Sequence, residues 1–370
     1  MKNKKGNFFS KTIFIFQIIL FLFLAASYLA PYIAPSTFWP IAFLGLVFPI
    51  LYLIQVVFLV FWLLFNRKYA FYTFIFLLLG IFSVNKNIAY SFGENNKQKT
   101  KNEISILTFN VKVFDLYDWK NNKKSFKIFK DYLKNSGADV LCLQEFYSDD
   151  DNEYINQDEL AKEIEYKYKT VFITKKLNKT HNWGIAIYSK FPIINTGNIK
   201  FENKANNAVQ FADIKIKNDT IRVFNAHLQS VHFSENDYEL VEKLKNEQIA
   251  EVKGSKKIAS RLKKAFLKRE KQVQKLRSEI EKSNYKTIVC GDFNDTPNSY
   301  TYQQISSVLK DSFLEKGQGI GATYNGKIPF LRIDYIFVPK LCYISYTKVD
   351  QSIKQSDHFP VITTINLSDE

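Results

Sequence analysis

The chain changes its hydrophobic period once. Residues 12–34, "TIFIFQIILFLFLAASYLAPYIA", hold no charge and a single Gln, and two further apolar stretches follow at 41–65 and 69–84, the last extendable through Tyr90. A helix of roughly 20 apolar residues crosses about 30 Å of hydrocarbon, so about three spans are predicted, near 12–34, 41–65 and 69–90. A signal peptide would supply only the first stretch. Pro49, inside the second, predicts a kink that neighbouring membrane helices would tolerate. These segments and a short linker make residues 1–101 a transmembrane region.

From residue 102 to 370 short apolar runs alternate with polar stretches. Runs at 104–111, 138–146, 184–193, 208–216, 220–228, 286–293, 332–339 and 359–367 have the length and β-branched content of strands. Phe126, Phe129 and Leu133 recur at helical spacing within 122–136, which ends near Gly137. A longer helical stretch over 236–283, interrupted at Gly254-Ser255, carries an apolar stripe of Ile258, Leu262, Phe266, Val273, Leu276 and Ile280 opposite a lysine-dense face. That face is read first as a solvated surface and second as a basic surface toward phosphates or lipid headgroups. Many strands with a few helices in one unit predict an α+β sandwich.

Charge sharpens the division. Residues 1–101 carry 10 Lys/Arg against one acid, Glu94, whereas the rest carry 41 against 35, so most of the net +15 belongs to the membrane region. Lys2, Lys4, Lys5 and Lys11 before the first span, with Arg67-Lys68 between the second and third, put the N-terminus inside. Three spans then leave the polar domain extracytoplasmic. Lys86, Lys97, Lys99 and Lys101 pull mildly the other way, and an interfacial third segment would turn the domain to the cytoplasm. Cys142, Cys290 and Cys342 each sit in an apolar strand-like run, which predicts buried thiols and no disulfide framework.

The strands stop on polar groups. Asn110 ends the first, Gln144-Glu145 the second, Asn225 and His227 the fifth, Asp292 and Asn294 the sixth; Asp334 interrupts "RIDYIFV", and Ser356-Asp357-His358 precedes the last. Any one of these reads more simply as a turn former, because Asp and Asn side chains bond their own backbone. Asp334 resists that reading, since a carboxylate between Ile333 and Tyr335 is costly to bury without a partner charge or metal. If the strands lie side by side their ends share one rim, where Glu145, Asp292, Asp334 and Asp357 would repel one another unless a cation intervenes. Acids, the amides Asn110 and Asn294 and two imidazoles, with no cysteine, suit Mg²⁺ or Mn²⁺ better than structural zinc. The sequence holds no serine nucleophile elbow, P-loop or dinucleotide glycine motif, which leaves water as the nucleophile.

In order, "LTFNV", "LCLQE", "GIAIYSKFPI", "NAHLQS", "GDFNDTP", "RIDYIFV" and "SDHFPV" resemble the endonuclease/exonuclease/phosphatase superfamily of metal-dependent phosphoesterases, the DNase I-like enzymes. The pieces span 104–367. The resemblance implies a four-layer α/β/β/α sandwich, preceded here by the transmembrane helices. It implies metal ligation by Glu145 with Asn110 beside it and Asp357 in the same set, while Asp334 would assist the metal or the leaving group. Asp292 would orient or deprotonate the attacking water, and Asn294 would hold phosphate and water. His227 and His358 would bind the scissile phosphate, with Asp357 fixing the His358 ring. Two departures stand out. Lys112 replaces an Arg common in relatives, and "GKIPFLRIDYI" lacks the Trp-Cys-Asp motif of inositol 5-phosphatases.

The expected function is therefore a membrane-anchored, Mg²⁺- or Mn²⁺-dependent phosphodiesterase of nuclease type, with a phospholipid, sphingomyelin or phosphoinositide phosphoesterase as the alternative. Nothing in the sequence requires a nucleotide cofactor or an obligate protein partner. A non-catalytic binding protein would be expected to lack a motif acid or imidazole, and none is missing.

Overall fold

The computed structural model describes residues 2–91, 100, 102–118, 120–201, 207–231 and 252–367. The apolar region folds as α1 (Lys2–Ser27), α2 (Pro35–Leu46), α3 (Phe48–Phe65), α4 (Arg67–Leu79) and α5 (Ile81–Asn85), followed by a short strand, β1 (Ala89–Tyr90). Its polarity is inverted relative to a water-soluble core. Ile15, Leu22, Leu53, Leu64 and Phe71 point outward and exposed, while Gln17, Gln55 and Thr73 are buried. Gln17 Nε2 donates to Gln55 Oε1 at 3.0 Å and to Thr73 Oγ1 at 2.8 Å, and Trp62 Nε1 donates to Gln17 Oε1 at 2.6 Å. Buried amides that knit α1, α3 and α4 beneath an apolar exterior suit helices packing in lipid.

Two helices, over Ser10–Ser27 and Phe48–Phe65, are long and apolar enough to cross a membrane. The third predicted span is corrected: it breaks at Gly80 into α4 of 13 residues and α5 of 5. The second is shorter than expected. Pro49 does not kink it but occupies the first turn of α3, where its missing N–H has no helical acceptor to lose.

The remaining chain forms β2 (Glu103–Asn110), α6 (Asn122–Asn135), β3 (Val140–Asp149), α7 (Gln157–Glu163), β4 (Tyr168–Leu177), β5 (His181–Ser189), β6 (Ile193–Lys200), β7 (Ala208–Ile216) and β8 (Asp219–His227). It continues through α8 (Val252–Glu281), β9 (Lys286–Asp292), α9 (Tyr300–Ser306), β10 (Leu309–Asp311), α10 (Ser312–Lys316), β11 (Gln318–Gly319), β12 (Asp334–Pro339), β13 (Tyr343–Val349) and β14 (Val361–Asn366). One sheet has the order β13-β14-β2-β3-β5-β4 and the other β10-β12-β9-β8-β7-β6; β1 pairs with β11 apart from both. Within each six-stranded sheet the central pair is parallel, β2 with β3 and β8 with β9, and the other pairings are antiparallel.

The central strands read as nearly continuous apolar runs because both of their faces are covered. Ile106, Val140 and Cys142 of one sheet meet Val223, Ile288 and Cys290 of the other in the middle. Leu107, Phe109 and Leu141 turn outward onto Phe129 and Leu133 of α6. Phe224, Val289 and Phe337 turn outward onto Val273 and Leu276 of α8 and Tyr302 of α9. This is the four-layer sandwich expected.

The boundaries moved in three places. The run 184–193 is two strands, β5 and β6, with the chain turning at Lys190–Pro192. The strands β4, β10 and β13 escaped the sequence pattern, being partly exposed or short. The helix α8 runs unbroken through Gly254-Ser255, while 236–251 and Lys97, Lys99 and Lys101 lie outside the described residues. Cys142 and Cys290 are buried thiols as expected, but Cys342 is only half-buried.

Gly291 sits at φ +141°, one residue before Asp292, where a Cβ would meet the Ala226 carbonyl oxygen of the parallel neighbour at 1.9 Å. No L side chain fits there without moving the strand. Gly291→Ala is expected to destabilise the folded chain by roughly 1–3 kcal/mol, read as a lowered midpoint in thermal or denaturant unfolding.

Candidate active site

Topology brings the polar strand ends together. β8 and β9 run parallel and finish side by side with His227 opposite Asp292. β12 runs antiparallel to β9, so its first residue, Asp334, also faces Asp292. In the other sheet β2 and β3 run parallel, with Asn110 opposite Gln144. β14 enters antiparallel to β2, and His358 stands three residues before it. Parallel strands thus contribute their ends, and antiparallel partners their beginnings, to one rim.

Asp292 is the centre of the group and only 1% exposed. Its Oδ2 accepts from Asn110 Nδ2 at 3.1 Å and Asn294 Nδ2 at 3.0 Å, and its Oδ1 accepts from the Asn294 backbone N–H at 2.8 Å. The Nε2 atoms of His227 and His358 each lie 3.8 Å from Asp292 Oδ2. His358 Nδ1 lies 2.9 and 3.2 Å from the two carboxylate oxygens of Asp334. Glu145 Oε1 is 3.7 Å from the same His227 Nε2, and its side chain is 39% exposed. Glu145 and Asn294 both have left-handed backbone, at φ +47° and +52°. For Glu145 this accompanies a bulge in β3 between Leu143 and Phe146. Such conformations cost of order 1 kcal/mol or more outside glycine and gather where a side chain has to be aimed.

Burial pushes the Asp292 carboxyl up to about 6; the His358 charge pulls it down, Asp334 raises it further, and His227 and Asn110 lower it. Burial pulls the His358 imidazole down, but the charges of Asp334 and then Asp292 outweigh it and raise it to about 10. The two carboxylates on either side of His358 thus favour its protonated form. Asp292, Asp334 and His358 are all buried and can each bring one ligand atom within 4.8 Å of the others. Two buried carboxylates that can bring oxygens this close together fit a divalent cation, which would offset both their burial and their mutual repulsion. Their oxygen-rich character fits a hard ion.

Of the sequence-predicted residues, Asn110, Glu145, His227, Asp292, Asn294, Asp334 and His358 converge. Asp357 is half-buried beside His358, whose imidazole its charge helps to raise. Its expected hold on the His358 ring is corrected, because that ring nitrogen meets Asp334. The link from Asp357 is its backbone carbonyl, which accepts from the Asn325 N–H at 2.7 Å.

Sequence reasoning placed Gln144, Asn225 and Ser356 at strand ends without a role and missed Thr323 and Arg269 as supports. Thr323 Oγ1 accepts the backbone N–H groups of both Ile333 and Asp334, each at 3.0 Å, and so orients the start of β12. Ser356 Oγ donates to the Asn110 carbonyl at 2.7 Å and accepts the His358 N–H at 3.1 Å. Gln144 Nε2 donates to Asn225 Oδ1 at 2.7 Å, and Asn225 Nδ2 donates to the carbonyls of Leu143 and Ala186, bridging the two sheets behind the site. Arg269, 2% exposed, donates from Nε to Asp295 Oδ2 at 3.0 Å and from Nη1 to the Gln229 carbonyl at 2.8 Å. It thereby ties α8 to the segments that follow His227 and Asp292. One signal was available: Arg269 lies on the apolar stripe, three residues after Phe266 and four before Val273.

A sandwich whose central strands deliver acids, amides and imidazoles to a common rim defines a hydrolase acting on phosphoester bonds. The chain belongs to the Endonuclease/Exonuclease/phosphatase family, whose model matches residues 107–358. Residues 10–87 match a domain of unknown function (DUF8431). Solved structures share the fold at low identity. An endonuclease/exonuclease/phosphatase from Beutenbergia cavernae is 14% identical with a TM-score of 0.52, covering 72% of each chain. One from Bacteroides vulgatus is 17% identical with a TM-score of 0.51, covering 73% of this chain and 100% of its own. A humanized D. rerio TDP2 is 16% identical with a TM-score of 0.50, covering 72% of this chain and 100% of its own. No curated protein matches the sequence.

Arg269→Leu is expected to destabilise the chain by about 3–5 kcal/mol, because the buried Asp295 loses its cation. The double variant Arg269→Leu with Asp295→Leu should recover most of that loss. Unfolding midpoints of the wild type, Arg269→Leu, Asp295→Leu and the double variant check it.

Proposed function

We propose that the protein is a membrane-anchored, divalent-metal-dependent phosphodiesterase that hydrolyses its substrate by direct attack of water on phosphorus. The observation that carries the reading is Asp292, a buried carboxylate bounded by Asn110, Asn294, His227, His358 and Asp334. Glu145, Asn110, Asp334 and Asp357 are the ligands that the family resemblance implies. Of these, Asp334 adjoins the buried group directly, Asn110 reaches it through Asp292, and Glu145 stands across His227. A bound Mg²⁺ or Mn²⁺ would supply charge to the phosphoryl oxygens and help place the water.

The chain's own residues do the rest. Asp292 orients the water and takes its proton, held for that by two amide donors on one oxygen. Asn294, fastened to the Leu228 carbonyl at 3.1 Å, sits beside the phosphate and the water. His227 and His358 present Nε2 to the same space, so cationic imidazole meets the charge that grows on the phosphoryl oxygens. Asp334 keeps His358 protonated and turned. As the bond from water oxygen to phosphorus forms, the bond from phosphorus to the leaving alcohol breaks, and the departing oxygen leaves with a proton.

Membrane anchoring by α1 and α3 is supported by their outward apolar faces. α4 runs back along α3, and a Cβ on Gly80 would meet the Tyr28 hydroxyl at 2.2 Å, so the chain leaves the bundle at the end away from Lys11. That favours an extracytoplasmic catalytic domain if the N-terminal lysines stay inside.

Purified full chain in detergent should hydrolyse a phosphodiester panel of p-nitrophenyl esters, single- and double-stranded DNA and RNA with Mg²⁺, and lose activity with chelator. Asp292→Ala and His227→Ala should each lower the rate by on the order of 10² to 10³, with a cooperative unfolding transition retained as the check that the fold is intact. Full activity in chelator, or in Asp292→Ala, would end the proposal.

A further inference from the structure

The apolar bundle does not hang from the catalytic domain by a free tether; it is built into the active-site rim. Asn298, four residues after Asn294, donates from Nδ2 to the Ser27 carbonyl at 3.0 Å, at the end of the first span. Gly45, three residues before the second span, sits so close that a Cβ there would lie 2.5 Å from the Asn298 carbonyl oxygen. On the other side of the site, Arg332, two residues before Asp334, donates from Nη2 to the Lys86 carbonyl at 2.7 Å. The Lys86 ammonium lies 5.3 Å from the Tyr32 ring centre, in the turn between α1 and α2. β1, which leaves the bundle, pairs with β11.

The segment between β11 and Arg332 closes the picture. It is fixed at both ends to residues 86–90, and its middle reaches the chemistry. The Tyr324 ring stands edge-on to His358 at 5.5 Å, and Thr323 holds the Asp334 backbone. Near its end Phe330 is 70% exposed, with left-handed backbone at φ +66°. Ile320 is exposed as well. On the opposite flank α8 packs Leu262 and Phe266 on Ala42 of α2. It leaves Lys256, Lys257, Lys263 and Lys264 exposed, and Lys263 lies 5.7 Å from the Trp39 ring centre. Aromatic rings and lysines at a span end are what a bilayer interface selects.

Distances then decide what can reach the site. The 18 residues of Ser10–Ser27 rise about 27 Å, close to the hydrocarbon thickness, so Ser27 marks the hydrocarbon edge. Four residues separate Asn294 from the Ser27 contact, at most about 14 Å of extended chain, and two separate Asp334 from the Lys86 contact, at most about 7 Å. The headgroup layer is itself about 5–8 Å deep. Both sides of the mouth therefore lie within about 14 Å of chain from the hydrocarbon edge, which brings a phosphate held at the outer part of the headgroup layer close to it, whereas a polymeric nucleic acid would have to lie along the bilayer surface to approach it.

We infer that the substrate is a membrane lipid whose headgroup phosphodiester is hydrolysed in place, with the 320–331 segment and the lysine face of α8 resting on the leaflet. This rests on the phosphodiesterase reading above and narrows it to one substrate class. Water adds to the lipid phosphorus and the P–O bond to one of its two alcohols breaks, so the products are an alcohol and a phosphomonoester.

The test uses the full chain reconstituted in vesicles of phosphatidylcholine, phosphatidylethanolamine, phosphatidylglycerol, phosphatidylinositol and sphingomyelin in equal parts, with Mg²⁺. Loss of any of these lipids, followed by mass spectrometry, is compared in the same vesicles with hydrolysis of added bis-p-nitrophenyl phosphate and of DNA. The expected result is lipid turnover that exceeds DNA cleavage. Phe330→Asn, which keeps the left-handed backbone available, should lower the ratio of lipid to soluble-ester turnover on the order of tenfold. Hydrolysis of the soluble ester or DNA with every lipid intact would overturn the inference and leave the phosphodiesterase reading standing. No hydrolysis of any of them would sink both. An unchanged ratio in Phe330→Asn would remove the leaflet contact from the inference.

Discussion

A carboxylate with almost no access to water is the constraint on which the catalytic half of this protein is organised. Asp292 lies at the meeting point of two sheets, and taking it out of water is costly unless donors and positive charge replace the lost hydration. Asn110 comes from one sheet, Asn294 from the turn after β9, His227 from the neighbouring parallel strand and His358 from the turn before β14. Each is delivered by a different element. The site therefore exists only when both sheets are packed and in register.

Maintaining that register falls to groups that never face the substrate. The Gln144–Asn225 amide pair crosses the inter-sheet core directly behind the rim, and a slip of one residue in either strand would bury those amides without partners. Gly291 allows β8 and β9 to approach at the residue before Asp292. Arg269 reaches from α8 to the segments after both strands, and Tyr335 closes the same turn by donating to the Asp295 carbonyl at 2.8 Å. The same turn then continues to Asn298 and the end of α1. Chemistry, helix layer and apolar bundle are thus linked through about ten residues of one loop.

Much of this was legible in the sequence. The seven motif pieces are local, and strand ends such as Asn110, His227 and Asp292 fall within a residue of the observed boundaries because apolar runs stop where the rim begins. Partly exposed strands left a weaker mark: β6 has a mixed pattern and was merged with β5. The ring partner of His358 was not legible because no local spacing shows that a carboxylate 24 residues away, Asp334, meets its Nδ1. Lys112 shows the reverse, a departure from the family whose backbone N–H still donates to Asn110 Oδ1 at 3.0 Å.

The sequence by itself determined the change from an apolar to a mixed pattern along the chain, the apolar character of α1 and α3, the strands' alternation between core and cover, and the kinds of group available for chemistry. These are properties of short windows, set by hydrophobic burial and backbone propensity. Tertiary structure alone decided that α4 stops at Gly80, that Asp334 meets the His358 ring, and that one end of the bundle is packed against the active-site loops. Those facts depend on residues as far apart as Ser27 and Asn298, and no local pattern encodes a contact that forms only when two distant faces become complementary.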